Sequence, residues 1–164
     1  METSKMHFTA EMVKTTLQAW CNGVVATGQV YTDNGDVKAF ANQILTDFYD
    51  YDNGKVLFNP TLTFGEQTFR PTKEGALAYF VGGNSSFPHD HGFLLKPWKK
   101  SWFTDEDFIL VDNLAFVQCN IHFVSAANIE IFVNKSFVFK ICDDGNVRIV
   151  LHHSALPYNP NPGS

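Results

Sequence analysis

Apolar residues recur every three or four positions through the first part of the chain, and this spacing predicts helices. Thr9 is the predicted N-cap of the first helix, and Gly28 is its predicted end. The apolar stripe of this helix consists of Val13, Leu17, Trp20, Cys21 and Val24. Such a stripe marks a helix that packs one face against a core.

The second and third helices are predicted from the same periodicity and from their caps. Asp36 begins the second helix, which ends at the turn Asp52-Asn53-Gly54. Its apolar stripe consists of Val37, Phe40, Ala41, Ile44, Leu45, Phe48 and Tyr49. Thr72 begins the third helix, and Gly82-Gly83 ends it. Between these two helices, residues 55–58 are predicted to form a short strand that ends before Pro60.

From Lys99 to His153 the chain becomes rich in β-branched and aromatic residues. Turn signals divide this part at intervals, so a meander of four antiparallel strands is predicted. Helices first and a long sheet last predict an α+β fold, with the helices packed on one face of a curved, mainly antiparallel sheet. We expect one domain over residues 1–158 and a loose tail over residues 159–164.

Several predicted strands carry apolar residues on both faces, as in Ile129-Glu130-Ile131-Phe132-Val133 and Phe137-Val138-Phe139. An antiparallel sheet with one face in water should alternate more cleanly between apolar and polar residues. The outer face is therefore expected to be covered, most simply by a second copy of the protein. This pattern predicts a homodimer and leaves a higher oligomer open.

The last hairpin can be aligned by its apolar residues. A three-residue loop at 143–145 pairs Ile141 with Val147, Phe139 with Ile149 and Phe137 with Leu151. Because neighbouring strand residues face opposite sides, this register points His153 towards the helices. It also places His152, Arg148 and Val150 on the outer face, which is the predicted dimer face.

Composition narrows the class of protein. The 164 residues carry a net charge of −5, which disfavours binding to nucleic acid or to an anionic membrane surface. We find neither a signal-peptide pattern nor an apolar run of membrane-spanning length. Three cysteines without a C-x-x-C spacing fit buried free thiols in a reducing cytoplasm better than disulfides or a zinc ribbon. They are Cys21, Cys119 and Cys142.

Three residues are candidates for acid–base chemistry. On the predicted register His153 lies inside, where it acts as a general acid or base, or is a core histidine satisfied by one hydrogen bond. His122 lies in mid-strand, and the sequence leaves open whether its face is the concave or the convex one. Glu130 is an isolated acid in an apolar strand; a raised pKa would make it a base, but a position on a wet rim is favoured.

Aromatic residues offer a lining for an apolar pocket, although packing in the core is their usual role. The predicted lining around His153 consists of Trp98, Trp102, Tyr49, Tyr51, Phe58, Phe137 and Phe139. The segment His89-Asp90-His91 has a histidine spacing that suits a metal, but it lacks a second pair, so a solvated loop is favoured. No metal or cofactor is expected, and no phosphate-binding or nucleophile-elbow motif is present.

Four segments together resemble a bacterial group of the nuclear transport factor 2-like superfamily, which is related to the association domain of calcium/calmodulin-dependent protein kinase II. They are Phe69-Arg70-Pro71-Thr72, Ala78-Tyr79-Phe80-Val81-Gly82-Gly83, Gly92-Phe93-Leu94-Leu95-Lys96-Pro97-Trp98 and Leu151-His152-His153-Ser154-Ala155-Leu156-Pro157-Tyr158. The resemblance covers about Asp36 to Tyr158. The closing His-His-Ser-x-x-Pro is its most specific part.

The resemblance implies a cone-shaped fold, a pocket between the helices and the concave sheet, and dimers formed through the outer sheet face. It leaves three functions open: binding of a small, mostly apolar molecule, which we favour, a SnoaL-type cyclase, isomerase or dehydratase that uses a pocket histidine, and a self-assembly domain. The kinase association domain carries arginines on its strands, whereas this chain has Ser136-Phe137-Val138-Phe139 at that place. Carboxylate binding by such arginines is therefore not expected.

Overall fold

The computed structural model describes residues 6–163. The first five residues of the predicted domain and the last residue of the predicted tail lie outside the described residues, and the division after residue 158 stays a prediction. Its helices are α1 (Ala10–Thr32), α2 (Val37–Phe48) and α3 (Lys73–Val81). Its strands are β1 (Leu57–Asn59), β2 (Trp98–Val111), β3 (Leu114–Ser125), β4 (Glu130–Ile141) and β5 (Val147–Ala155). None of the helices in residues 6–163 combines the length and the apolar character that a membrane span requires.

The three helices begin where their cap residues predict. The side chains of Thr9, Asp36 and Thr72 each accept a hydrogen bond from the backbone N–H three residues later. The predicted end of α1 at Gly28 is wrong, because the helix continues to Thr32. Gly28 instead serves packing: a Cβ built on it would lie 3.3 Å from the backbone nitrogen of Trp98.

The sheet confirms the predicted meander and adds a parallel edge strand. Its strand order is β1-β5-β4-β3-β2; β1 pairs with β5 in parallel, and the other neighbours are antiparallel. The core lies between the helices and one face of this sheet, and most of its side chains come from α1 and from β3 and β4. The molecule is thus an α+β fold with the cone-like architecture that the resemblance implied.

A β-bulge in β5 divides the predicted hairpin register into a correct half and a wrong half. Ile141 pairs with Val147 and Phe139 pairs with Ile149, as predicted. Val138 then pairs with Leu151, so Val150 is an extra residue without a partner on β4. Beyond the bulge every side chain of β5 faces the side opposite to its predicted one.

The predicted orientations of the two histidines are therefore wrong. His152 pairs with Phe137 and is buried among the core side chains, whereas His153 is exposed on the other face. Arg148, which was also predicted to lie on the dimer face, donates two hydrogen bonds to the Asp144 carboxylate. Whether Arg148 and Val150 contact a second copy stays a prediction.

Substitution of Gly28 tests the close approach of α1 to β2. We expect Gly28→Leu to lower the free energy of unfolding by about 1–3 kcal/mol, because its side chain has to enter space held by the backbone of Trp98. Gly28→Ala is the matched control, since the gain in helix propensity, about 1 kcal/mol, offsets its tight Cβ contact. Urea unfolding measures both, and equal midpoints for the two variants would contradict the packing argument.

Candidate functional site

Three polar side chains are buried on the helix-facing side of β4 and β5, in a core that is otherwise apolar. They are Lys135, His152 and Ser154, each at most 5% exposed. Lys135 lies directly across from Ser154 on the neighbouring strand, and Phe137 lies across from His152. Because buried polar groups need partners, their hydrogen bonds define what this part of the core can do.

His152 has a partner on each ring nitrogen. Its Nδ1 lies 2.9 Å from the Tyr49 hydroxyl, and its Nε2 lies 2.9 Å from the Lys135 Nζ. The Trp20 indole N–H in turn donates to the Tyr49 hydroxyl at 3.0 Å. The imidazole ring packs against Phe58, with 4.6 Å between the ring centroids. The ring is therefore held in place by two hydrogen bonds and by aromatic packing.

Burial disfavours the charged forms of these side chains. It lowers the pKa of His152 well below its usual value, and the charge of Lys135 lowers it further. Burial also lowers the pKa of Lys135 to about 7. The pKa of Tyr49 is raised by burial. Near neutral pH the core therefore holds an uncharged imidazole next to an amine that is close to its own titration point.

Three hydroxyl groups lie close together beside His152 and Lys135. The Thr61 Oγ1 and the Ser154 Oγ are 2.5 Å apart. The Tyr79 hydroxyl hydrogen-bonds with Thr61 and accepts a hydrogen bond from the backbone N–H of Leu62 at 3.3 Å. Burial raises the pKa of Tyr79 to about 12, so the phenol keeps its proton. We call Thr61, Tyr79 and Ser154 the hydroxyl cluster.

The short strand β1 brings Thr61 to Ser154. Because β1 runs parallel to β5, Phe58 lies beside His152 and Asn59 beside His153. Pro60 follows β1 directly and cannot donate a ladder hydrogen bond, so the chain leaves the sheet level with Ser154. Tyr79 comes from α3, whose start is fixed by its Thr72 cap. The cluster thus depends on one parallel pairing and one capped helix.

A buried ion pair fixes the segment behind Tyr79. The Arg70 guanidinium donates to both Asp90 carboxylate oxygens, at 2.6 and 3.0 Å, and also to the Gly75 carbonyl. Both charged side chains are 4% exposed. The predicted solvated loop at His89-Asp90-His91 is therefore wrong for Asp90, although both histidines are exposed. Within residues 6–163 no group of three or more His, Cys, Asp or Glu is arranged to hold a metal.

The predicted aromatic lining is mostly part of the packed core. Its buried members are Tyr49, Phe58, Trp98, Phe137 and Phe139, and Tyr51 is half-buried. Trp102 is the exception, because its place in β2 turns it to the outer face. There it stacks on His122, with 5.0 Å between ring centroids and 5° between the ring planes. The prediction that Trp102 lines the interior is wrong.

The three predicted acid–base candidates lie away from the hydroxyl cluster. His122 is on the outer face, where its Nε2 is 2.8 Å from the Thr104 hydroxyl. Glu130 is exposed at the rim, with 3.9 Å between its carboxylate and the His122 Nδ1. His153 is exposed on the outer face. Their catalytic roles stay predictions, and the variants below test His153 directly.

Four side chains of the site were not predicted from the sequence: Thr61, Tyr79, Lys135 and Ser154. A signal for Lys135 was present, because strict alternation along β4 places it on the same face as Val133 and Phe137. A lysine on a buried face requires a partner and marks a candidate site. No comparable signal existed for Thr61 and Tyr79, which meet Ser154 only through the tertiary fold.

Comparison with known proteins identifies the family. Residues 11–156 match the family model described as metal-independent carbonic anhydrase. A metal-independent carbonic anhydrase of Nostoc sp. (strain PCC 7120 / SAG 25.82 / UTEX 2576) is 38% identical over 143 residues. That alignment covers 86% of this chain and 70% of the relative.

Solved structures support the same grouping. The crystal structure of the iota-carbonic anhydrase from a cyanobacterium, complexed with bicarbonate, has a TM-score of 0.91 and 37% identity, and the match covers 93% of this chain and 94% of that one. A putative calcium/calmodulin-dependent protein kinase II association domain from Xanthomonas campestris has a TM-score of 0.59 and 20% identity, covering 92% and 89%. The second likeness shows the fold alone, and this is the fold that the sequence resemblance implied.

Removal of Asp90 tests the ion pair behind Tyr79. We expect Asp90→Ala to lower the free energy of unfolding by about 3–5 kcal/mol, because the Arg70 charge stays buried without its partner. Asp52→Ala is the matched control: its carboxylate pairs with Lys73 but is exposed, so about 0–1 kcal/mol is expected. Urea unfolding compares them, and a cost for Asp90→Ala as small as that for Asp52→Ala would refute the structural role.

Proposed function

The chain belongs to the metal-independent carbonic anhydrase family, and from this premise we propose that it catalyses the reversible hydration of carbon dioxide to bicarbonate and a proton. The observation that carries the proposal is the hydroxyl cluster of Thr61, Tyr79 and Ser154 beside the neutral His152. These side chains supply hydrogen-bonding groups and a basic nitrogen within one buried region, which is what this reaction requires of a protein.

The family match corrects the functions expected from the sequence. Binding of an apolar molecule, a SnoaL-type cyclase, isomerase or dehydratase, and a self-assembly domain are all wrong as primary functions, because the family model and the curated relative both name a carbonic anhydrase. The predicted fold is confirmed and the predicted functions are wrong, because this fold hosts many unrelated activities.

The hydroxyl cluster suits both the substrate and the product. When water attacks carbon dioxide, negative charge develops on the oxygens of the product, and hydroxyl donors that are already in place stabilise it. A hydroxyl also accepts a hydrogen bond, so the same groups orient the attacking water. Thr61 is half-buried whereas Ser154 and Tyr79 are buried, so Thr61 is the member nearest to solvent.

His152 supplies the basic nitrogen. It lies two residues from Ser154 on the same face of β5, and its lowered pKa keeps the ring neutral near pH 7. Hydration releases one proton for each carbon dioxide consumed, and a neutral imidazole is the usual acceptor for it. The aromatic side chains around the ring keep bulk water away and strengthen these interactions.

Substitution of the hydroxyl cluster tests the proposed function. We expect Ser154→Ala and Tyr79→Phe each to lower kcat/KM for carbon dioxide hydration about 10²-fold or more, because each removes one hydrogen-bonding hydroxyl from the site. Stopped-flow hydration with a pH indicator measures this, on protein treated with a chelator.

His153→Ala is the matched control for these variants, because it removes an exposed ring next to the site residues in sequence and should leave kcat/KM unchanged. A loss of activity in His153→Ala with full activity in Ser154→Ala would restore the sequence-based candidate and reject the hydroxyl cluster. An inactive wild-type protein would reject the proposed reaction itself.

We also propose that the protein is a homodimer that pairs through the outer sheet face. Large apolar side chains are exposed there, among them Ile109 on β2, Phe116 on β3 and Phe132 on β4. A groove of about 470 Å³ runs along the same face beside Phe116 and Leu151. Exposed apolar area of this kind favours association.

The three cysteines are buried free thiols, which supports the cytoplasm as the proposed compartment.

A charge placed on the outer sheet face tests the dimer. We expect Phe116→Lys combined with Phe132→Lys to convert a dimer into a monomer, because two charges then have to be buried in the interface. Sedimentation velocity measures the mass. Phe64→Lys is the matched control, since Phe64 is even more exposed than Phe116 and Phe132 but lies in a loop outside the sheet. A wild-type monomer, or a dimer that survives the double substitution, would contradict this interface.

A further inference from the structure

A continuous chain of buried hydrogen bonds runs from Trp20 through Tyr49 and His152 to Lys135. The Trp20 indole donates to Tyr49, the Tyr49 hydroxyl bonds with the His152 Nδ1, and the His152 Nε2 bonds with the Lys135 Nζ. The amine also lies 4.7 Å from the centroid of the Trp20 ring. Because an indole N–H can only donate, the chain has a fixed direction at that end.

The surroundings of Lys135 contain no carboxylate partner for its charge. The side chains packed around it are Trp20 and Cys21 of α1, Cys119 of β3, and His152 and Ser154 of β5. Burial raises the pKa of both thiols, that of Cys119 to about 12, so they stay protonated. Beyond these neighbours, Glu106 raises the pKa of Cys119 and His153 lowers the pKa of His152. No ion pair between residues 6 and 163 includes Lys135.

The role of Lys135 in this chain depends on its charge, because a neutral amine can accept a hydrogen bond from Nε2–H whereas an ammonium can only donate. In the neutral arrangement the Tyr49 hydroxyl donates to the Nδ1 of His152, and the Nε2–H donates to the lone pair of the Lys135 amine. In the protonated arrangement Lys135 is an ammonium and donates to Nε2, so Nδ1 has to carry the ring proton and donate to Tyr49. The two arrangements differ by one proton and by the tautomer of His152.

We infer that Lys135 is a positioning residue whose protonation state sets the tautomer of His152. Uptake of one proton converts the neutral arrangement into the protonated one: Nδ1 gains a proton, the Nε2 proton moves to the lone pair of Nζ, and the positive charge rests on the ammonium. Loss of one proton reverses both changes. This inference rests on the proposed function for its effect on activity, but the two arrangements do not.

The position of Lys135 supports this role. It lies directly across from Ser154, so its change of charge takes place beside the hydroxyl cluster. Its pKa of about 7, lowered by burial, lets it both take and return a proton near neutral pH. In the hydration direction the neutral amine is the working form, so activity should rise with pH as Lys135 loses its proton.

The tautomer of His152 can be observed without any variant at this site. We expect ¹⁵N NMR of wild-type protein to show His152 as the Nε2–H form at pH 9 and as the Nδ1–H form at pH 5.5, with a midpoint near 7. Its signals are assigned by elimination through substitution of the other histidines, none of which is fully buried. One tautomer across this range, or an imidazolium at pH 5.5, would overturn the inference.

The pH profile of hydration provides the second test. We expect Lys135→Met to lower kcat about tenfold or more and to abolish the rise in activity around pH 7, because the group that titrates against the His152 ring is lost. Lys135→Arg, always charged, should stay inactive throughout. Lys140→Met, on the same strand and half-buried, is the matched control and should keep the wild-type profile.

The two tests separate the inference from the proposed function. A Lys135→Met variant with the wild-type pH profile would overturn the inference and leave the hydration activity standing. If wild-type protein hydrates no carbon dioxide, the proposed function fails, and the NMR titration alone then decides whether Lys135 sets the tautomer. If Lys135→Met does not fold, the same titration decides.

Discussion

The bulge at Val150 turns the last part of β5 over, so that His152 and Ser154 face the core instead of solvent. Without this extra residue the strand would bury His153 and expose the two side chains on which the site depends. The bulge also sets which residue of β5 lies across from Lys135. The hydroxyl cluster, the histidine and the lysine share one buried face because of a single unpaired residue.

Burial of these polar groups is tolerated because each has a partner. A hydroxyl, an imidazole or an amine without one would cost about 1–3 kcal/mol in this core. Trp20 and Tyr49 satisfy one side of His152, and Lys135 satisfies the other. The same apolar surroundings shift the pKa values of His152 and Lys135 downwards, so the stability of the core and the chemistry of the site have one cause.

Much of the fold could be predicted from periodicity and caps, because Thr9, Asp36 and Thr72 are local signals that act within one turn of helix. The site could not be predicted in the same way. Ile149, Val150 and Leu151 are all apolar, so the pattern does not say where an alternating strand gains a residue. Thr61, Tyr79 and Ser154 come from three separate elements, and only the parallel pairing of β1 with β5 brings the first to the last.

A crystal structure of this protein with bicarbonate would decide whether the hydroxyl cluster is the active site. We expect the anion within hydrogen-bonding distance of the hydroxyls of Ser154 and Tyr79, with His152 buried beside it and Lys135 still bonded to the ring. Bicarbonate bound instead on the outer sheet face, near His153 or His122, would contradict this expectation.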